Sequence, residues 1–228
     1  MKTLLTTLLL LLPIAASAQN RSAKHTCRIL FFDAPSDAPN TLYLFDGKDT
    51  REVELSRMNF SPVYELPAGQ LNLRLLADPP EDPRTIPAGA PAVMVPETVV
   101  DFYLLISSDP DNGVVPVRMQ VIDASFDKAK PGQMMWFNLT PNTIGGNVGD
   151  RRLVVRPKSS TVLDAPIPSA GEYPIQLFFQ IPDDERMHPL TSTSWGHDPR
   201  TRNIIFINAA PNSRTPRVRG FTDFRSSR

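Results

Sequence analysis

Arg28-Ile-Leu-Phe-Phe-Asp-Ala-Pro35 and Met134-Met-Trp-Phe-Asn-Leu-Thr-Pro141 are each a short apolar strand running into a proline turn, 106 residues apart. Three further landmarks recur around them in the same order. Leu66-Pro-Ala-Gly69 and its following strand match Ile167-Pro-Ser-Ala-Gly171 and its strand. Val99-Val-Asp-Phe-Tyr-Leu-Leu-Ile106 matches Thr201-Arg-Asn-Ile-Ile-Phe-Ile-Asn208, and Pro116 with Asp123 matches Pro216 with Asp223. Strands are kept while loops change by a few residues, so the offset drifts from 106 to 100. The chain reads as one module written twice.

Within each copy the period is that of strands. Leu71, Leu73 and Leu75 alternate with Asn72 and Arg74, and Val115, Val117, Met119 and Val121 alternate with Pro116, Arg118 and Gln120, placing apolar side chains on one face. Further strands are expected at 41–46, 51–56, 61–66, 151–156, 160–166 and 172–180, punctuated by Asp46-Gly47, Asn112-Gly113 and Gly145-Gly146-Asn147. No helical period is sustained beyond the first residues. About seven strands in each copy is the size of an immunoglobulin-like sandwich, without the Cys…Trp…Cys signature of true immunoglobulin domains. The expected fold is therefore all-β: two tandem immunoglobulin-like antiparallel β-sandwich modules, residues 19–123 and 134–228, joined by a polar linker at 124–133. One larger sandwich or barrel built from both copies is the alternative.

Composition agrees with this class. Of 228 residues, 41% are hydrophobic, 24 basic residues balance 24 acidic ones, and proline reaches 24, which excludes a disordered chain and a strongly basic nucleic-acid binder and disfavours long helices. Lys2, the apolar run Leu4–Ile14 and Ala16-Ser17-Ala18 have the layout of a secretory signal peptide, 1–18, cleaved after Ala18. No later segment is apolar enough to span a bilayer once the signal is removed. A secreted or periplasmic location follows. The single cysteine, Cys27, lies in the first strand and reads as a buried, inert thiol.

Asp33-Ala-Pro-Ser-Asp-Ala-Pro39, Tyr43-Leu-Phe-Asp-Gly47 and Tyr64-Glu-Leu-Pro-Ala-Gly69 resemble a family of bacterial secreted β-sandwich domains of unknown function. That family opens with a strand and a small-Pro-Asp-Ala-Pro turn, then has a strand ending in Asp-Gly and a Tyr-x-x-x-Pro-Ala-Gly turn. About fifty residues of the first copy carry the resemblance. Asp33 departs from it, standing where the family often has histidine, and the second copy keeps only the skeleton. The resemblance implies an extracytoplasmic bacterial sandwich and brings no catalytic residue or ligand.

Signals for chemistry are sparse. His188 and His197 flank a long second-copy loop containing Asp183, Asp184, Glu185 and Asp198, but the spacing does not make a metal site. Ser194, His197 and Asp198 are too close in sequence to align as a relay, and no Gly-x-Ser-x-Gly elbow exists. Gly145-Gly-Asn-Val-Gly149 lacks the lysine of a phosphate-binding loop and reads as a turn. Trp195 in the same loop either caps its own domain or stacks on a ligand.

Charge distribution is the strongest lead. Between Asp78 and Gly113 seven acids face Arg84 alone, whereas between Pro199 and Arg228 seven arginines face Asp223 alone. The sequence thus points to a non-enzymatic, envelope-associated binding or assembly protein without cofactor or metal. Arg202, Arg214, Arg217, Arg219 and Arg225 would form a face for an anionic partner, which is a cell-envelope polymer or protein or a second copy bound head-to-tail. The competing reading is a carbohydrate- or small-ligand-binding module that uses the 183–202 loop, with Trp195, His197, Asp198 and Arg200 lining the site.

Overall fold

A computed structural model describes residues 24–210 and 213–224; the expected signal peptide and Arg225 lie outside the described residues. The first half contains β1 (Lys24–Phe31), β2 (Thr41–Phe45), β3 (Thr50–Glu54), β4 (Tyr64–Ala68), β5 (Leu71–Leu76), β6 (Ala92–Val95), β7 (Asp101–Ser108) and β8 (Val117–Asp123). The second contains β9 (Met134–Asn138), β10 (Thr143–Val148), β11 (Arg151–Val155), β12 (Ser160–Leu163), β13 (Gly171–Gln180), β14 (Met187–His197), β15 (Thr201–Ala210) and β16 (Ser213–Phe224). Sheets β3-β2-β5-β6 and β4-β1-β7-β8 form one sandwich, and sheets β11-β10-β13-β14 and β12-β9-β15-β16 repeat the same order eight elements later. The two tandem β-sandwich modules and their internal duplication are thus present. Each module has eight strands rather than about seven, and each includes one parallel pair, β1 with β7 and β9 with β15.

Those parallel strands explain why the landmarks are so apolar. Ile29, Phe31, Phe102, Leu104 and Ile106 face the first sandwich core, where Leu44 and Leu73 meet them. The intervening Leu30, Phe32, Tyr103 and Leu105 face the other way and pack on Met135, Ile204, Phe206 and Phe221 of the second module. Trp136, Ile205 and Ile207 return to the second core, against Ile175 and Leu177. The molecule is a stack of four sheets with three apolar layers, and the two inner sheets are buried on both faces. Strands in that position read as continuous hydrophobic runs.

A run without alternation does not specify its register, which corrects the repeat alignment. The Phe32 N–H donates to the Ile106 carbonyl at 2.8 Å, and the Leu139 N–H donates to the Ile207 carbonyl, also at 2.8 Å. Phe32 therefore corresponds to Leu139, 107 residues on, and Ile106 to Ile207, 101 residues on. The sequence pairing, at 106 and 102, slips one residue in each strand and would turn core side chains into the layer between modules.

Two segments differ from expectation. Gly145-Gly146-Asn147 lies inside β10 rather than in a turn. Gly146 has φ +151°, and a Cβ there would sit 2.0 Å from the Gln176 carbonyl oxygen of β13, so close backbone approach demands glycine. The 124–133 segment is not a free polar linker, because Ala124 and Ala129 are fully buried in the layer between the modules.

Candidate functional site

The expected ligand loop is mostly strand. Met187–His197 forms β14, the edge of its sheet, paired along its length with β13. Pro189 with its polar neighbours suggests a loop, but an edge strand tolerates proline because one side of its backbone needs no ladder partner. Trp195, opposite Tyr173 in the register, turns inward and stacks on Trp136 with ring centroids 6.0 Å apart and planes 10° apart. It caps the core of its own module. His197 is buried beside Tyr173, and neither of its ring nitrogens has a hydrogen-bond partner among the described residues. Burial pushes its pKa below the usual imidazole value, against a smaller upward pull from Asp198.

Asp198 and Arg200 clasp each other across two residues at 2.7 Å, with the Arg200 side chain 83% exposed. Hydrogen bonds from the Arg200 side chain, then its backbone N–H, hold the Asp198 carboxyl down at about 2. Trp195, His197, Asp198 and Arg200 are close in sequence but turn to different surroundings and do not converge on one concavity. Ser194 is exposed, whereas the His197 ring is withdrawn into the core. Among the described residues no group of three His, Cys, Asp or Glu side chains is arranged to hold a metal ion.

The arginine-rich end divides into three fates. Arg202 belongs to no outward face. Its side chain is 3% exposed and pairs with Asp223 at 3.1 Å and Asp101 at 3.5 Å, while donating to the Ala124 and Ala129 carbonyls at 2.5 and 3.2 Å. Arg28 of β1 and the Tyr103 hydroxyl of β7 also donate to the Asp223 carboxylate. Asp223 therefore gathers groups from both modules. Burial, then the neighbouring Asp223 charge, pushes the Tyr103 phenol far above its ordinary pKa, which keeps it a hydrogen-bond donor.

Arg219 crosses the same seam at the opposite end of the inner strands, 2.9 Å from Asp33 and with its guanidinium 5.5 Å from the centre of the Phe32 ring. Arg28–Asp223 lies at the middle of β1 and beside Arg202 at the start of β15, and Asp33–Arg219 lies just past the end of β1 and beside Phe206, further along β15. The central strands of both modules therefore run the same way, and their far ends bring loops from both halves to one end of the molecule. Arg214 and Arg217 are exposed near this end of β16.

Three grooves open here. A groove of about 640 Å³ lies on the seam, lined by Asp33, Ser107, Arg118, Lys158 and Asn208 among others. It adjoins at Ala209 a groove of about 350 Å³ lined by Pro141, Ile181, Pro182, Arg214 and Pro216. A third, about 470 Å³, shares Pro141, Ile181 and Pro182 with the second and ends at Asp183, Asp184 and Glu185. Asp33 and Lys158 have φ of +54° and +51° and Asp183 has +65°; these are the non-glycine residues held in the left-handed region among those described, and each lines one of these grooves. Such strain concentrates at binding surfaces. Sequence patterning singled out Pro141 and Pro216 only as turn markers and missed Arg118, Lys158 and Asn208, which come together solely through the stacking of the modules.

The chain is thus a protein of two tandem β-sandwich modules, with loops gathered at one end and one groove there lined by both. No family model and no curated protein matches it.

Proposed function

We propose that the chain is a non-enzymatic binding or assembly protein of the bacterial cell envelope, secreted or periplasmic after cleavage behind Ala18. The observation that carries this is the loop end, where a groove built by both modules on the seam adjoins two grooves of the second module, a scaffold offering surface rather than reactive groups. The side chains closest to a catalytic constellation have other commitments: Asp198 is held by Arg200 and His197 lies in the core. The signal-like Leu4–Ile14 run with Ala16-Ser17-Ala18 supports export, and the resemblance of the first copy to secreted β-sandwich domains supports a bacterial envelope.

The test exposes the mature chain, from Gln19, to cell-wall sacculi, anionic vesicles and purified envelope proteins at low and high salt, and in parallel to ester, glycoside and peptide substrates. Retention by an envelope component without turnover is expected. Turnover of a substrate, or no retention at any salt, overturns the proposal.

A further inference from the structure

We propose that the loop-end grooves form one trough for an extended polypeptide segment of a partner, with carboxylates at the seam end and a cationic residue at the far end. This rests on the binding role proposed above and names the surface and the chemistry of its partner. Three observations lead to it. The grooves adjoin in a row, at Ala209 and then at Pro141, Ile181 and Pro182, so the concavity has the shape of a chain rather than of a compact molecule. Its middle is mainly apolar, with Pro141, Ile181, Pro182 and Pro216 beside Arg214, which suits aliphatic or prolyl side chains. The one aromatic ring in the lining, Phe32, is already covered by Arg219, which leaves no free aromatic platform for a sugar ring.

The ends carry opposite charge. Arg118, Lys158 and Arg214 line the seam and middle grooves, and among the described residues no ion pair occupies them; there Arg118 donates to the Ser107 hydroxyl at 2.9 Å and Lys158 to the Leu139 carbonyl. Asp183 and Glu185 line the far groove, likewise without an ion-pair partner among the described residues, whereas Asp184 between them is held by Arg186 at 2.9 Å. Elsewhere the same residue types are spent within the fold, as in Arg202–Asp223 and Arg51–Asp46. A trough that keeps cations free of ion pairs, among the described residues, from its seam to its middle and carboxylates at its far end orients a strand of complementary polarity and rejects the reverse direction.

The experiment selects a display library of random linear peptides on the full mature protein, then on the double variant Arg214→Glu/Lys158→Glu, with envelope retention measured for both. Enriched peptides are expected to share carboxylates at one end, aliphatic or prolyl residues in the middle and Lys or Arg at the other end. On the double variant the carboxylate end is expected to convert to Lys or Arg, and the original peptides to bind at least about tenfold more weakly. An unchanged consensus on the variant, or no enrichment, overturns the trough. If the protein is still retained by an envelope component, the binding role stands without it. A second copy is the competing occupant, because Asp78-Pro-Pro-Glu-Asp-Pro-Arg84 of the first module, with Asp78, Glu81 and Arg84 exposed and Arg84 also holding Asp82, has the same charge order. Sedimentation of the free protein as a dimer that Glu81→Arg abolishes would show self-association and overturn a foreign partner. Thermal unfolding of each variant separates lost binding from lost fold.

Discussion

Arg200 and Arg202 are two residues apart, and each pairs with an aspartate at about the same distance, 2.7 and 3.1 Å. Everything else differs. The Arg200 side chain is 83% exposed and holds a neighbour from its own turn, while that of Arg202 is 3% exposed and holds Asp223 together with the linker carbonyls. In water an ion pair gives up little and gains little. Inside the seam two charges have lost their solvent, so each depends on the other, and removing one strands its partner. A run of arginines in a sequence is thus a count of charges and not yet a surface.

Asp223→Ala tests the contrast most severely. It leaves Arg202 and Arg28 buried in the seam without their shared carboxylate, with an expected loss of about 3–5 kcal/mol in urea unfolding; a loss under 1 kcal/mol would make the two pairs equivalent. Phe206→Ala addresses the apolar half of the seam. Phe206 packs 4.8 Å from Phe32 and 5.3 Å from Phe137, centroid to centroid, and its removal is expected to cost about 3–4 kcal/mol. Both modules should still melt in one transition, and two separated transitions by calorimetry would show that the seam does not couple them.

Trp195→Ala follows, at about 2 kcal/mol because the ring is only half-buried on Trp136; a wild-type midpoint would remove its role as a cap. Asp198→Ala has the smallest effect, an unfolding midpoint unchanged at neutral pH. Its carboxyl is depressed in the folded state, so whatever it contributes is present above pH 4 and is lost only as pH falls through about 2. A midpoint in the wild type that depends on Asp198 between pH 5 and 7 would contradict this.

The duplication and the sandwich class were legible because turn residues and strand runs repeat in order, and because Leu71, Leu73 and Leu75 alternate as a one-sided strand must. Register was not legible in Leu30–Phe32 or Ile204–Ile207, since side chains buried on both faces carry no alternation. β14 escaped notice because its Ser-Thr-Ser-Trp run at 192–195 is polar, as an edge strand with a solvated face can be. The grooves were out of reach for a different reason: Lys158 and Arg214 lie far apart in the second copy and meet only through its fold, and Arg118 joins Lys158 only through the docking of one module on the other. The buried pairing of Arg28 with Asp223, 195 residues apart, has no local sequence signal.

The layer between the modules also bears on how the chain is made. Leu30, Phe32, Tyr103 and Leu105 are complete in the first half, but Phe206 and Phe221, which cover them, emerge about a hundred residues later, a lag of roughly 5–20 s at ordinary rates of synthesis. Throughout that interval the newborn first half presents a sticky flank. If it meets a neighbouring nascent chain before its own second half arrives, the two halves can pair between chains, so the interval between the two halves sets how often exchanged dimers form.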